Sequence, residues 1–262
     1  MIKDIVRQSV NVVATIIPIV VGTIVGSGVA AASNRNPVLI TPAGYTFAIW
    51  SLIFVATIAF AIYQALPSQR ENPRLRRIGY WYALGNLGCA AWDLIFPRQL
   101  INLSEGVIIV SLVALLFAYT RAGIALVPVS RLERWLVDIP LALFTAWVTF
   151  ATVVNTAVFL KNLNWNGAGL APTIWAGIIL AVAAIIVCAV SITRRDVVYA
   201  AVGTWALLGV VVANSQAGRT SVAIVAGVLA ALTLIIAIVV AVRRVPPAPQ
   251  ATAKAEYASS SN

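Results

Sequence analysis

The chain has 262 residues, of which 61% are apolar and only 10% are charged. Soluble domains are typically about 45–50% apolar and about 25% charged, so a soluble globular protein is excluded. The high apolar fraction also excludes a disordered chain, and two cysteines are too few for a secreted module built on disulfides. Composition therefore predicts an all-α, polytopic membrane protein, a bundle of transmembrane helices.

Eight apolar stretches of about 18–26 residues follow one another along the chain, each long enough to cross a hydrocarbon core of about 30 Å. They predict about eight helices, over residues 9–31, 44–66, 78–97, 104–126, 134–160, 170–192, 197–214 and 220–242. The low-complexity segment from Pro246 to the end predicts a disordered tail.

Three local patterns predict where helices begin. Thr41-Pro42 is typical of an N-cap followed by proline at the first helical position, which places the start of the second helix there. Ser130 and Glu133 have the spacing of a capping box for the fifth helix. Asn102 and Glu105 repeat this spacing and predict a similar start for the fourth helix.

The net charge of +10 is distributed as a topology signal. If eight helices alternate, 14 of the 18 Lys and Arg residues lie on the side of both termini, including Arg74, Arg76 and Arg77. The four on the other side are Arg35, Arg98, Lys161 and Arg219. The positive-inside rule then predicts a multi-pass protein with both termini in the cytoplasm, and we expect the membrane to be the cell inner membrane. No run of five to eight basic residues exists, so the lipid bilayer, and not nucleic acid, is the expected partner.

The first apolar stretch has a second interpretation, because Ala30-Ala31-Ala32 after it resembles a signal-peptide cleavage site. Its length of about 22 residues exceeds that of a typical signal-peptide core, so we expect the first helix to be retained. The charge pattern does not decide between the two interpretations.

Residues for catalysis are scarce. The chain has no histidine, which excludes histidine-based triads, histidine metal sites and histidine-ligated haem. Cys89 and Cys188 lie within apolar stretches and lack CxxC spacing, so we expect small core residues and no disulfide. We therefore expect no enzyme, no metal and no obligatory cofactor.

Three helices carry stripes at helical spacing, wholly aromatic on the second helix and mixing aromatic with polar or small residues on the third and fifth. The stripes are Phe47, Trp50 and Phe54 on the second helix, Tyr82, Asn86, Cys89 and Asp93 on the third, and Phe144, Trp147, Ala151 and Asn155 on the fifth. Amides and carboxylates are expensive in hydrocarbon, so these polar residues should face the bundle interior or a wet cavity.

Structural interpretations of these residues remain open. Asparagine in a membrane helix often only bonds a neighbouring helix, and Asp93 precedes Arg98 by five residues, which fits a local interfacial pair. The tryptophans near helix ends fit an interfacial belt: Trp81, Trp135, Trp165 and Trp175.

The fifth helix carries the most specific pattern, WVTFATVVNTAVFLKN from Trp147 to Asn162. It resembles the fifth helix of the TspO/translocator-protein family, the tryptophan-rich sensory proteins, which reads W-V-S-F-A-T-x-x-N. Pro140 agrees with the family's proline before this tryptophan, and Pro42 lies eight residues before Trp50. The segment WDLIF, Trp92 to Phe96, resembles the family's W-S-P-L-F on the third helix. The resemblance covers residues 9–164.

The resemblance implies a five-helix bundle with a pocket under the first loop, between helices two, three and five. The family binds porphyrins and, in mitochondria, sterols, and has been assigned transport, sensory and regulatory roles. The implied pocket positions are Trp50, Trp92, Trp147, Ala151 and Asn155. Together with the stripes, the candidate ligand-binding residues are Trp50, Phe54, Asn86, Trp92, Phe144, Trp147, Ala151 and Asn155.

The chain also departs from the family pattern. Ala48 replaces a proline, Cys89 an asparagine, and Val153 the sterol-motif tyrosine, so sterol recognition is not expected. Residues 165–262 add about three helices to the usual five. We therefore predict a TspO-like bundle over 1–164, a three-helix extension over 165–243 and a cytoplasmic tail over 244–262.

The leading functional hypothesis is binding of a flat hydrophobic ligand, a porphyrin or similar tetrapyrrole, for transport, sensing or regulation. Asp93 and the eight-helix count motivate a second hypothesis, a small-solute secondary transporter. A third is a structural or assembly subunit of a larger membrane complex that docks through helices six to eight. A homodimer is also open as a partner.

Overall fold

The computed structural model describes residues 2–243, so the predicted disordered tail lies outside the described residues. Within 2–243 the chain forms eight long helices joined by loops and short helical turns, and no strand. We label them α1 to α8: Ile2–Arg35, Gly44–Ala65, Trp81–Ile95, Ile101–Arg121, Arg131–Asn162, Pro172–Arg194, Val197–Gln216 and Thr220–Val242. The all-α polytopic bundle predicted from the sequence is confirmed.

Seven of these helices are long and apolar enough to cross a membrane. The remaining long helix, α3, has 15 residues and is about 22 Å long, with a 3₁₀ turn over Phe96–Arg98 continuing it. At the other extreme, α1 has 34 residues and reaches about 50 Å. Its last turns therefore extend past the end of α3 and form one wall of the site described below.

The predicted helix starts are right at one position and wrong at two. Ser130 caps α5, because its hydroxyl accepts a hydrogen bond from the Glu133 backbone N–H at 3.1 Å. The second helix does not begin at Thr41-Pro42, because its first turn begins at Gly44 and the residue before that turn is Ala43. The Ala43 N–H instead donates to the Gly209 carbonyl oxygen of α7 at 2.9 Å, a partner that no local pattern could reveal.

Asn102 is not a helix cap either. The fourth helix begins at Ile101, after Leu100, and no side chain caps it. Glu105 points away from the helix start and bonds the side chains of Asn155 and Thr156 on α5. What looked like a capping glutamate is a contact between helices.

Helix α5 is the central element of the bundle. Of its most apolar 18-residue segment, 78% of the residues are buried, and the helix packs against α2, α4 and α7. A π-helical turn over Arg134–Asp138 precedes Pro140. Proline lacks an N–H and its ring crowds the preceding turn, so a widened turn lets the helix continue through it. The aromatic stripe of α5 thereby keeps its place in the core.

Helix α1 packs on α2 and α3 through polar side chains near its start. The Gln8 amide donates to the Gln64 carbonyl oxygen at 2.6 Å, and Asn11 donates to that of Gly79 at 3.1 Å. The Asp4 carboxylate accepts two hydrogen bonds from Arg76, at 2.7 and 2.8 Å. Arg76, one of the charges in the predicted topology signal, is therefore a structural ion-pair partner. Retention of the first helix stays a prediction.

The linker between α2 and α3 contains a short helix, Pro73–Ile78, which is bonded to α5. The Arg74 guanidinium forms a buried ion pair with Asp138 and also donates to the Ala122 carbonyl oxygen at 2.8 Å. This ion pair fixes the end of the bundle that contains the chain's N-terminus.

Helices α6 to α8 form a group joined to the rest by hydrogen bonds. Helix α7 packs most extensively on α8 and also lies against α5. The hydroxyls of Thr149 on α5 and Tyr199 on α7 are 2.6 Å apart, and Tyr119 of α4 donates to the Asp196 carboxylate at 2.7 Å. The extension therefore packs on the predicted five-helix part mainly through α7, although the division at residue 164 stays a prediction.

Candidate functional site

A cavity whose lining includes six aromatic rings lies beneath the first loop, residues 36–43, and we call it the aromatic cavity. Its volume is about 70 Å³, well below the roughly 300–1,000 Å³ of typical ligand pockets. The residues that matter most here come from α2, α3 and α5: Phe47, Trp50, Trp92, Asp93, Trp147, Ala151 and Asn155. In this conformation the cavity has room for a small chemical group but not for a whole macrocycle.

A second space, the mouth cavity, adjoins the aromatic cavity and has a volume of about 350 Å³. The two share the side chains of Phe47, Trp50 and Asp93 as lining. Gly22 and Gly26 of α1 form the opposite wall, and a Cβ added at Gly26 would meet no atom within 4 Å. A large flat ligand would therefore occupy the mouth cavity and reach the aromatic cavity across the wall that they share.

A chain of hydrogen bonds crosses three helices at the inner wall. The Trp92 indole N–H donates to the Asn155 side-chain oxygen at 3.0 Å, and the Asn155 amide donates to Glu105 at 2.7 Å. The other Glu105 oxygen accepts from the Thr156 hydroxyl at 2.7 Å. Because a carboxylate only accepts hydrogen bonds, it fixes the orientation of the Asn155 amide. The amide in turn holds the indole of Trp92.

The other two tryptophans of the cavity are held by ring contacts. Trp147 is 2% exposed and lies edge-on to Phe47, with ring centroids 5.9 Å apart. Trp50 contacts Phe54 at 5.5 Å and Phe144 at 6.1 Å between centroids. Such contacts stabilise a fixed arrangement of rings beyond the area that they bury.

Asp93 is an ionisable residue in the lining of both cavities. No Lys or Arg of residues 2–243 forms an ion pair with its carboxylate. Arg98, the neighbour expected from the sequence, donates to the Leu94 carbonyl oxygen. The expected Asp93–Arg98 pair is not formed, and the carboxylate faces cavity space instead.

Three hydrogen bonds attach α7 to the first loop, which covers the aromatic cavity, and to the first turn of α2 that follows the loop. Beside the Ala43–Gly209 bond, Asn214 donates to the Leu39 carbonyl oxygen at 2.8 Å, and the Trp205 indole to that of Thr46 at 3.0 Å. Two of these bonds involve side chains of the extension. The cover of the candidate site thus depends on a helix outside the predicted five-helix part.

The structure separates the sequence-derived candidates into two groups. Those that line one or both cavities are Trp50, Phe54, Trp92, Trp147, Ala151 and Asn155. Phe144 lies behind Trp50 as a packing neighbour, outside the lining. Asn86 is buried and donates to the Tyr82 carbonyl oxygen at 2.9 Å, away from both cavities.

Glu105 is the main residue that sequence reasoning missed. The signal was present, because a carboxylate inside an apolar stretch is expensive unless it is paired. The capping-box spacing between Asn102 and Glu105 suggested a local role for this carboxylate. Its actual partner on α5, Asn155, lies 50 residues away in the sequence. Within residues 2–243 no cluster of three or more Cys, Asp or Glu side chains is arranged to hold a metal ion.

A comparison with protein-family models matches residues 5–240 to the family described as TSPO-like protein. The chain belongs to the TSPO-like protein family. No curated protein and no solved structure matched the chain.

The family match runs across all eight helices, whereas the residue patterns of the sequence resembled the family only up to residue 164. The three additional helices are therefore part of the TSPO-like match. Together with the seven apolar helices, this establishes a membrane protein of the TspO type.

Proposed function

We propose that this TSPO-like protein binds a flat apolar ligand of the tetrapyrrole type in the aromatic and mouth cavities. The single observation that carries the proposal is the convergence of Trp50, Trp92 and Trp147, from three helices, on one cavity. Flat conjugated rings stack on aromatic faces, and the small side chain of Ala151 leaves room beside them. The role is binding for transport, sensing or regulation, and not turnover.

Cavity size adds a conformational requirement. The mouth cavity, at about 350 Å³, lies at the lower end of ligand-pocket volumes, and the aromatic cavity is much smaller. A macrocycle therefore fits only if the first loop or α1 moves outward on binding. At Gly26 the outer wall of the mouth cavity has open space beside the backbone for such a movement, whereas a Cβ at Gly22 would already contact the Phe54 ring at 3.4 Å.

Charge sets the orientation of the ligand. Asp93 repels a ligand carboxylate placed beside it, so the apolar edge of a porphyrin enters first and its propionates point outward. Two polar side chains, Asn34 and Thr41, line the mouth cavity and not the aromatic cavity.

The test is a titration of the purified protein in detergent with protoporphyrin, read as quenching of tryptophan fluorescence. We expect saturable quenching that weakens in Trp50→Phe and in Trp147→Phe. Trp135→Phe is the matched control, because Trp135 is 66% exposed and outside both cavities. Thermal unfolding of each variant shows that it is folded. Absent saturation, or equal binding in all variants, contradicts the proposal.

Asp93 also supports a second candidate function, a secondary transporter for a small solute. An ionisable group that faces cavity space within a helix bundle is typical of ion-coupled sites. This candidate requires pH-dependent uptake into proteoliposomes that Asp93→Asn abolishes. Pure binding requires no such uptake, so the two functions are distinguishable with one variant.

A further inference from the structure

A third cavity lies between the first loop and the extension, and we call it the extension cavity. Its volume is about 470 Å³, within the range of ligand pockets. It is lined by the first loop, the end of α5, the α5–α6 loop, the start of α6 and Arg219 before α8. It shares no lining residue with the aromatic or the mouth cavity.

The charged residues of this cavity are all positive. Lys161 and Arg219 line it, and no Asp or Glu does. Neither cation forms an ion pair with a carboxylate of residues 2–243. The Lys161 ammonium donates one hydrogen bond, to the Pro37 carbonyl oxygen at 2.8 Å, and has two further N–H groups to offer. The cavity is therefore positively charged.

The rest of the lining is apolar and aromatic. Trp165 and Trp175 meet edge to face, with ring centroids 4.5 Å apart. Aliphatic side chains continue the wall toward the bundle: Val38, Leu39, Ile40, Leu160 and Ile179. The two tryptophans, which the sequence assigned to an interfacial belt, thus form part of a cavity wall.

The cavity lies at the helix ends opposite the N-terminus, because α1, α3, α5 and α7 all run from the N-terminal side to this side. In a bilayer this is the level at which apolar chains give way to charged head groups. An occupant of the cavity therefore meets cations and apolar side chains together.

We propose that the extension cavity is a binding site for an anionic amphiphile, whose carboxylate or phosphate meets Lys161 and Arg219 while its apolar body packs on Trp165 and Trp175. The same chemistry is offered by an anionic lipid of the bilayer and by a free fatty acid. This proposal is independent of the tetrapyrrole site.

The probe is 9,10-dibromostearate added to the protein in neutral detergent, since bromine quenches nearby tryptophans. The double variant Trp165→Phe/Trp175→Phe isolates the signal of these two residues by difference. We expect saturable quenching by the acid and little by its methyl ester. Equal quenching by acid and ester overturns the proposal.

Charge variants test the head-group contact. Lys161→Gln combined with Arg219→Gln should weaken dibromostearate binding about tenfold or more, since each basic residue contributes about 1 kcal/mol toward an anionic surface. Arg219→Lys should retain binding, and Arg98→Gln, on the same side but outside the cavity, should leave it unchanged. An unchanged affinity in the double charge variant also overturns the proposal.

A parallel quenching experiment in nanodiscs identifies the source of the ligand. Stronger Trp165 and Trp175 quenching by brominated phosphatidylglycerol than by brominated phosphatidylcholine identifies a bilayer lipid. If the acid quenches more strongly than its ester while the two brominated lipids quench equally, the ligand is a free amphiphile. No preference for the anion in either arm contradicts the proposal.

Discussion

At the residue scale, Glu105 determines the geometry of the inner wall. A carboxylate that is 7% exposed has lost most of its hydration, and this cost must be offset by hydrogen bonds. The donors on Asn155 and Thr156 both lie 2.7 Å from it, the distance of charge-assisted bonds. Such bonds contribute about 1.5–3 kcal/mol each, so the network is stable only while both donors are present.

Asn155→Ala should therefore reduce both stability and ligand binding. It removes one donor from Glu105 and leaves the Trp92 indole N–H without its acceptor. We expect a loss of about 2–4 kcal/mol in the free energy of unfolding, by the cost of unsatisfied buried groups. Denaturant unfolding in detergent measures it, and protoporphyrin titration measures the effect on the site.

The matched control is Asn162→Ala, on the same helix. Asn162 is exposed and bonds only the Asn102 side chain among the described residues, at 3.1 Å. Its loss should change stability by less than about 0.5 kcal/mol. Similar effects of both variants would show that the network has no special role.

Asp93→Asn should strengthen binding of a dicarboxylic porphyrin. The substitution removes like-charge repulsion from the lining and keeps the side-chain shape. We expect a several-fold lower Kd for protoporphyrin and an unchanged Kd for its dimethyl ester, both from fluorescence titration. Glu71→Gln, an exposed acidic residue outside the cavities, is the control. A weaker affinity for the dicarboxylic form would refute the orientation proposed above.

At the element scale, the contact between the first loop and α7 depends on Gly209. A Cβ at this position would lie 2.8 Å from the Pro42 side chain and closer still to the Thr46 hydroxyl. Only a residue without a side chain lets the loop approach closely enough for the Ala43 N–H to reach the Gly209 carbonyl oxygen.

Gly209→Ala should therefore release the first loop from α7. We expect hydrogen–deuterium exchange of residues 36–48 to become several-fold faster, because the Ala43 N–H loses its acceptor on α7 and the loop is no longer held there. Gly227→Ala is the control, since a Cβ there has its nearest neighbour at 3.9 Å. Unchanged exchange in the first loop would mean that α7 does not hold it.

Seven of the eight long helices were predictable because each is an apolar run of membrane-spanning length, whereas α3, with 15 residues, is shorter. Helix existence depends on local composition, and all eight helices lie where the sequence placed them. Helix ends depend on single contacts. Ser130 is a local cap and was predicted, whereas the start of the second helix is set by Gly209, far away in the sequence.

At the scale of the whole molecule, the site too was predictable only where local sequence determines it. The tryptophans were predictable because their spacing resembles a known family, and the family match confirms that resemblance. Glu105 and the loop attachment at Asn214 were not, because each depends on a partner from another helix. Local periodicity carries no information about such pairings.

Charge distribution predicts the orientation of the whole bundle. In a variant with Cys89 and Cys188 replaced by alanine, a cysteine introduced at Thr173 should react with a membrane-impermeant maleimide on intact cells. One at Ser68 should react only after the membrane is permeabilised, since the positive-inside rule places that linker in the cytoplasm. Both positions are exposed in the structure. The reverse pattern would contradict the predicted topology.

Tetrapyrrole binding is tested most sharply by a structure of the protein with protoporphyrin bound. We expect macrocycle density across the mouth and aromatic cavities, against Trp50 and Trp147, with the propionates pointing away from Asp93. Density on the lipid-facing surface alone, or an empty aromatic cavity at saturating ligand, would contradict it.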